Sequence, residues 1–250
     1  DRRARSDLET SYQTGIINAI PKRSTLCKYM CTADTKEQLE KFIQQSAMPF
    51  LEGLQTLILD STWFGTKMYV GGHNHKPYNR KKKDENIPSL AKCRKLHVAI
   101  LKESKIIVFA KTTKGTSHDS PHFQEMVSTA IDNGFNINTL IADAGYISKM
   151  NYKFAQDNGI ENIFIDFRSN MTGKRGKSKA YKDAFYLYKN DNEYWHEIYR
   201  YRVVIEGVWS AIKRKFLNWL RTRKAMARDN EMLLKALCYN LTILGKSVSL

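Results

Sequence analysis

The sequence predicts a mixed α/β fold, a sheet flanked by helices, on three observations. Short, nearly continuous apolar runs at 54–60 and 137–143 suit buried strands. Two further runs, 95–101 and 105–113, lie either side of a short turn at Lys102–Ser104 and read as a hairpin. From 120 onward helical and strand patterns alternate, as in a βαβ portion. An antiparallel part should therefore come first and a parallel part after it.

Each element has its own warrant. Residues 34–48 form a helix: Asp34 can cap it, Leu39, Phe42 and Ile43 recur at helical spacing, and Pro49 ends the pattern. "LQTLILD" (54–60) is a buried strand. Residues 71–90 are polar, with Gly, Pro and a basic run at Arg80–Lys83, and read as an exposed loop. The hairpin 95–113 follows. A helix over 120–133 has Asp119 or Ser120 as its cap and stops at Gly134. "INTLIAD" (137–143) is a second buried strand, followed by a helix over 147–157 and the strand "NIFIDF" (162–167). The basic segment 172–179 is read as mobile. A long helix over 193–223 and a last one from Asp229 or Asn230 to Gly245 complete the order.

Composition narrows the partners. Lys plus Arg is 41 and Asp plus Glu is 25 in 250 residues, a net charge of +16. A surplus of that size points to a polyanion, nucleic acid first. No stretch reaches the roughly 20 apolar residues of a membrane span, and the first ten residues lack a signal-peptide core. The scattered cysteines Cys27, Cys31, Cys93 and Cys238 form no zinc pattern and read as reduced thiols, so a cytosolic compartment is expected. The chain does not open on Met, which suggests a fragment or a processed product.

Three carboxylates stand out. Asp60 and Asp143 each close a buried strand, and strand ends are where chemistry gathers in open α/β sheets. One such Asp alone would read as a turn cap; two in the same setting point to a site. Glu206 is the one acid among nine Lys and Arg residues between 199 and 228. At roughly 100° per residue, Tyr199, Arg202, Glu206 and Lys213 fall on one stripe of a straight helix about 60° wide. That stripe borders the apolar face carrying Val204, Ile205, Val208, Trp209, Ile212 and Phe216. Three converging carboxylates suit Mg²⁺ or Mn²⁺, and two such ions suit phosphodiester chemistry. Bases beside them would meet phosphates.

The same residues carry a family resemblance. Tyr199, Arg202, Glu206 and Lys213 match Y-x2-R-x3-E-x6-K at every spacing. "DAGY" (143–146) resembles the second-Asp motif D-x-G-Y/F, and "LILDSTWF" (57–64) the first-Asp motif. Together they resemble the DDE transposases of prokaryotic insertion sequences over about 54–245. The resemblance implies a ribonuclease-H-like catalytic domain at 54–250. The segment 1–53 before it is partly helical, as a truncated DNA-binding region would be. It implies metal-dependent strand cleavage and strand transfer, with Asp60, Asp143 and Glu206 as catalytic metal ligands for two Mg²⁺ or Mn²⁺ ions. It implies that Arg202 and Lys213 hold transposon-end DNA and that Tyr199 supports the site. The partners would be double-stranded DNA, at ends and target, and a second copy of the chain in a synaptic homodimer. The place of action would be the cytoplasm, at the nucleoid. With 62 residues between Asp143 and Glu206, there is no room for the large β-rich insertion of some relatives.

Other readings stay open. A transposase-derived protein that binds DNA without cutting would share the pattern, although the intact acids favour an enzyme. His97 reads as a strand residue or a catalytic aide. His118, Asp119 and His122 read as loop and cap residues rather than metal ligands. Trp63 is a core aromatic or a base-stacking platform, and Arg80–Lys83 a DNA contact or a solvated loop.

Overall fold

The computed structural model describes residues 2–65, 93–169, 171–173 and 178–248. The basic run Arg80–Lys83, its loop, and residues 174–177 of the segment 172–179 lie outside the described residues. Three helices, α1 (Arg2–Gln13), α2 (Arg23–Tyr29) and α3 (Ala33–Ala47), precede the first strand. The strands β1 (Leu54–Phe64), β2 (Arg94–Leu101) and β3 (Ile107–Lys114) follow. Then come α4 (Phe123–Asp132), β4 (Asn136–Ala142), α5 (Lys149–Asp157) and β5 (Asn162–Ile165). The last helices are α6 (Lys179–Asn190), α7 (Asn192–Tyr199), α8 (Val203–Phe216) and α9 (Ala225–Val248).

The strands form one sheet in the order β3-β2-β1-β4-β5. β1 pairs antiparallel with β2 and parallel with β4, so it is the seam between the two halves. This is the mixed sheet, antiparallel part first and parallel part after it, that the sequence predicts. Its register fixes the site. Leu59 lies opposite Ala142 in the last pair of the parallel ladder, so the next residues, Asp60 and Asp143, lie side by side where that ladder stops. Asp60 does not close β1, as the apolar run suggests it would: the strand runs on to Phe64, held by its antiparallel pairing with β2. The core runs through both faces: Leu57, Leu59, Ile100, Leu140 and Ile141 are fully buried, and so are Ile205 and Ile212 of α8.

Polar ties fasten the helices to the sheet. Asn240 of α9 receives the N–H of Ile107 at 2.9 Å and gives its amide to the Ile107 carbonyl at 2.7 Å. The same amide reaches Ser46 Oγ in α3 at 2.9 Å. One side chain thus serves backbone groups of the edge strand β3 and covers part of that edge. Leu39, Ile43 and Ala47 of α3 belong to the same core.

Several helices depart from the sequence reading. Thr32, not Asp34, caps α3, accepting from the Thr35 N–H. The helix expected over 193–223 is not one straight rod. α7 and α8 are joined by a 3₁₀ turn at Arg200–Arg202, because they bury different faces: α7 packs on β5 and α8 on β1. α8 ends at Phe216, where Leu217 takes φ +70° and the chain peels away to bridge Trp219 to Gly65. Lys235 Nζ holds that turn through the carbonyls of Leu217 (3.1 Å) and Trp219 (2.8 Å). The residues 221–224 are nearly all charged and offer no apolar face to continue the helix. α9 starts at Ala225 and runs through Gly245, because Asp229 is spent on an ion pair with Arg94 instead of capping a helix.

Candidate active site

Asp60, Asp143 and Glu206 come from β1, the end of β4 and the first turn of α8. One guanidinium touches all three. Arg202 Nη1 donates to Glu206 Oε1 at 3.0 Å, Nη2 donates to Asp143 Oδ2 at 3.2 Å, and Nη2 stands 3.7 Å from Asp60 Oδ1. Glu206 is therefore paired, contrary to its lone position in the sequence. Asp143 serves twice: its Oδ1 takes the Gly145 N–H at 3.2 Å and shapes the turn 144–146, while Oδ2 faces the arginine. Asp60 is buried, and its Oδ2 receives Trp209 Nε1 from α8 at 3.0 Å.

Burial pushes the Asp60 carboxyl above the usual range, while the charge of Arg202 and the Trp209 hydrogen bond pull it back. Burial works to lower the Arg202 pKa; the charges of Asp60 and Asp143 outweigh it and raise it. Lys213, two turns after Glu206, does not reach the acids. Its Nζ donates to Thr62 Oγ1 at 2.6 Å and lies over the Phe64 ring. Burial holds its pKa below that of a free lysine, against the pull of Asp60. Tyr199 stacks on Trp195 with ring centroids 4.6 Å apart, and burial followed by the charge of Asp166 pushes its hydroxyl pKa up.

Hard oxygen donors of this kind fit Mg²⁺ or Mn²⁺ in chemistry. Among the described residues, however, no three His, Cys, Asp or Glu side chains close to metal-ligand spacing. The Arg202 guanidinium holds the middle in their place. Its Nε is buried without an acceptor, so the arginine is not fully satisfied where it lies.

The chain matches the family described as transposase DDE domain over residues 52–241. It belongs to that family. Among solved structures it is similar to a Mos1 transposase paired-end complex with left transposon end, at 8% identity and a TM-score of 0.28. That likeness covers 68% of this chain and 63% of the other. No curated protein matches.

All three acids and Arg202 of this transposase DDE domain lie inside the matched span. Several neighbours escaped the sequence reading. Trp209 reads as one more apolar residue of α8, yet its indole N–H anchors Asp60. Asp119 reads as a helix cap, but its side chain caps nothing. It meets Ser61, Lys95 and His97 instead. A signal existed: Lys95 and His97 sit two apart in an apolar strand, so they share a face that must supply a partner. Both are buried. His97 Nε2 also lies 2.9 Å from Thr113 Oγ1, and its ring faces His122 at 4.5 Å. His118 is exposed. Trp63 donates Nε1 to the Gly115 carbonyl at 2.8 Å and carries Lys95 Nζ over its ring, so its polar edge is taken by the protein. The four cysteines are free thiols.

Proposed function

We propose that this transposase DDE domain cuts and joins DNA strands at the ends of a prokaryotic insertion sequence, with divalent metal. The observation that carries the reading is the convergence of Asp60, Asp143 and Glu206, from three separate elements, on one cation. A pair of Mg²⁺ or Mn²⁺ ions held by these carboxylates would activate the attacking oxygen and stabilise the leaving one. Arg202 competes for the same oxygens, so it must leave them before metal enters. Once free, it is placed beside the site to pair with a phosphate. Lys213 and Tyr199 line the same stretch of chain, Lys213 steadying Thr62 at the β1 end and Tyr199 bracing the turn that carries Arg202. Residues 54–250 form the catalytic unit in this reading, with α3 of the preceding segment lent to its sheet. The partners are transposon-end and target duplex and a second copy of the chain. Action at the nucleoid fits the charge of +16; among the described residues no helix is long and apolar enough to cross a membrane.

The test is substitution by near-isosteres: Asp60→Asn, Asp143→Asn and Glu206→Gln. Mg²⁺-dependent cleavage of duplex carrying element ends should be abolished in each, while DNA affinity holds or tightens as a negative charge leaves. A variant that cuts at the wild-type rate removes its residue from the set. The closed contact of Arg202 with the acids favours a second reading, a DNA-binding descendant that no longer cuts. Wild-type chain that binds duplex but leaves it whole at millimolar Mn²⁺ would decide for that reading.

A further inference from the structure

Asp119 stands in the link between β3 and α4, at the head of the 3₁₀ turn Ser120–His122. One of its carboxylate oxygens accepts a hydrogen bond from Ser61 Oγ at 2.7 Å and pairs with Lys95 Nζ at 2.7 Å, with His97 Nδ1 at 3.3 Å. The other oxygen faces Gly145: a Cβ there would lie 3.0 Å from Asp119 Oδ2. Ser61 is the residue after Asp60. Gly145 belongs to the turn that Asp143 begins, and gives its N–H to Asp143. Thus one carboxylate is bonded to the residue after the first acid and sits close against the turn bearing the second. Burial would raise the Asp119 pKa, but His97, Lys95 and Ser61 outweigh it and hold the carboxyl below its usual range. Stability alone does not account for the arrangement. Lys95 is 3% exposed, and a buried ion pair seldom improves on apolar packing of the same volume. What it does provide is a fixed geometry behind the reacting groups.

We infer that Asp119 is a positioning residue that sets the spacing of Asp60 and Asp143 by bonding Ser61 while packing against the 143–146 turn at Gly145. The inference rests on the reading of those acids as metal ligands. Outer contacts of this kind govern metal affinity by about 10–100-fold.

The experiment uses the full chain and four proteins: wild type, Asp119→Asn, Ser61→Ala and Asp60→Asn. Mn²⁺ binding is followed by the electron paramagnetic resonance of free Mn²⁺, and folding by circular dichroism. Cleavage of end duplex is measured against Mg²⁺ concentration. Wild type should bind Mn²⁺ at a site that Asp60→Asn abolishes. Folded Asp119→Asn should bind it about 10–100-fold more weakly, and Ser61→Ala should be weakened in the same direction. In both, the Mg²⁺ needed for half-maximal cleavage should rise while DNA affinity stays within about twofold of wild type, since neither change touches a phosphate partner. Unchanged Mn²⁺ affinity in folded Asp119→Asn overturns the inference, even if cleavage falls. If that variant does not fold, unchanged affinity in Ser61→Ala overturns it. Wild type that binds Mn²⁺ through Asp60 yet never cuts would sink the enzymatic reading and leave the positioning role standing. Wild type that binds no Mn²⁺ at all would overturn both.

Discussion

At the scale of single residues, the site is a set of charges each held by a neighbour. Arg202 is the clearest case, since the same oxygens cannot serve a guanidinium and a metal ion together. Arg202→Ala should therefore raise Mn²⁺ affinity of the free chain by roughly tenfold or more, because a full positive charge 3–4 Å away is removed. It should also weaken duplex binding and lower the salt slope by about one unit for the lost phosphate partner. Titration calorimetry and a salt series read the two effects; metal affinity that falls would mean that Arg202 orders the acids instead of competing for them. Asp119 gives a pH prediction. Its folded pKa is depressed, so the unfolded chain takes up the proton first as pH falls. Its contribution to stability is whole above about pH 4 and is lost as pH drops through the folded pKa. Asp119→Asn should be less stable than wild type by roughly 3 kcal/mol at pH 7, the cost of unpairing the buried Lys95. Urea unfolding should show that gap narrowing at pH 3. An equal gap at both values would place the cost outside the carboxylate's charge.

At the scale of elements, two devices hold the site's supports in register. The first is the end of α8. Leu217 has φ +70° and ψ 148°, a conformation that favours glycine. Leu217→Gly should relieve that strain and leave stability unchanged or raised by up to about 1 kcal/mol, whereas Leu217→Ala keeps the strain and loses contacts. Denaturant midpoints compare them, and a glycine variant weaker than the alanine one would show the backbone to be unstrained. The second is Asn240. Asn240→Leu should cost about 2–3 kcal/mol, because the Ile107 N–H and C=O lose their partner in a buried place. A loss below about 0.5 kcal/mol in thermal unfolding, the level of an ordinary surface change, would mean that the strand edge finds other partners. These elements also mark how far the sequence could be read. β1, β2, β3, β4 and β5 were legible because continuous apolar runs leave little choice, and the acids at 60 and 143 stood out where those runs stop. That β1 itself runs on past Asp60 to Phe64 was not legible, since polar residues there are carried by pairing with β2. The 200–202 turn was not legible. Helical periodicity survives a single tightened turn, and only the different targets of α7 and α8 reveal it. Asp119 was hidden for a related reason: an Asp before a helix looks like a cap, and only tertiary contact shows its side chain pointing to β1 and β2. Likewise Glu206 looked unpaired because its partner is claimed jointly by residues far apart in the chain.

At the scale of the whole molecule, charge and architecture together set what the chain can recognise. The surplus of +16 will draw any duplex, and contacts to phosphate carry no direct sequence information. Direct readout needs a firmly supported helix or ribbon in the major groove. The helices ahead of the sheet do not supply one in an evident form. α2 is seven residues long and buries none of them, and Ile16, Ile20, Leu26 and Tyr29 around it stay exposed. α3 is supported, but its apolar face is spent on β3 and α9. These 250 residues should therefore bind duplex with strong salt dependence and little preference. In competition at physiological salt, the preference for an element end over random duplex should fall well below the 10³-fold or more typical of specific sites. The binding constant itself should drop steeply between 50 and 200 mM salt, by about 10³-fold if some six phosphates are engaged. The two measurements separate the causes. A steep salt slope with little preference is the signature of a charged surface reading phosphates. Preference above 10³-fold would require a recognition element that acts in spite of its thin support, and α1 or the exposed face of α3 would be the place to look, by scanning Lys and Arg there for a change in preference and not in affinity alone.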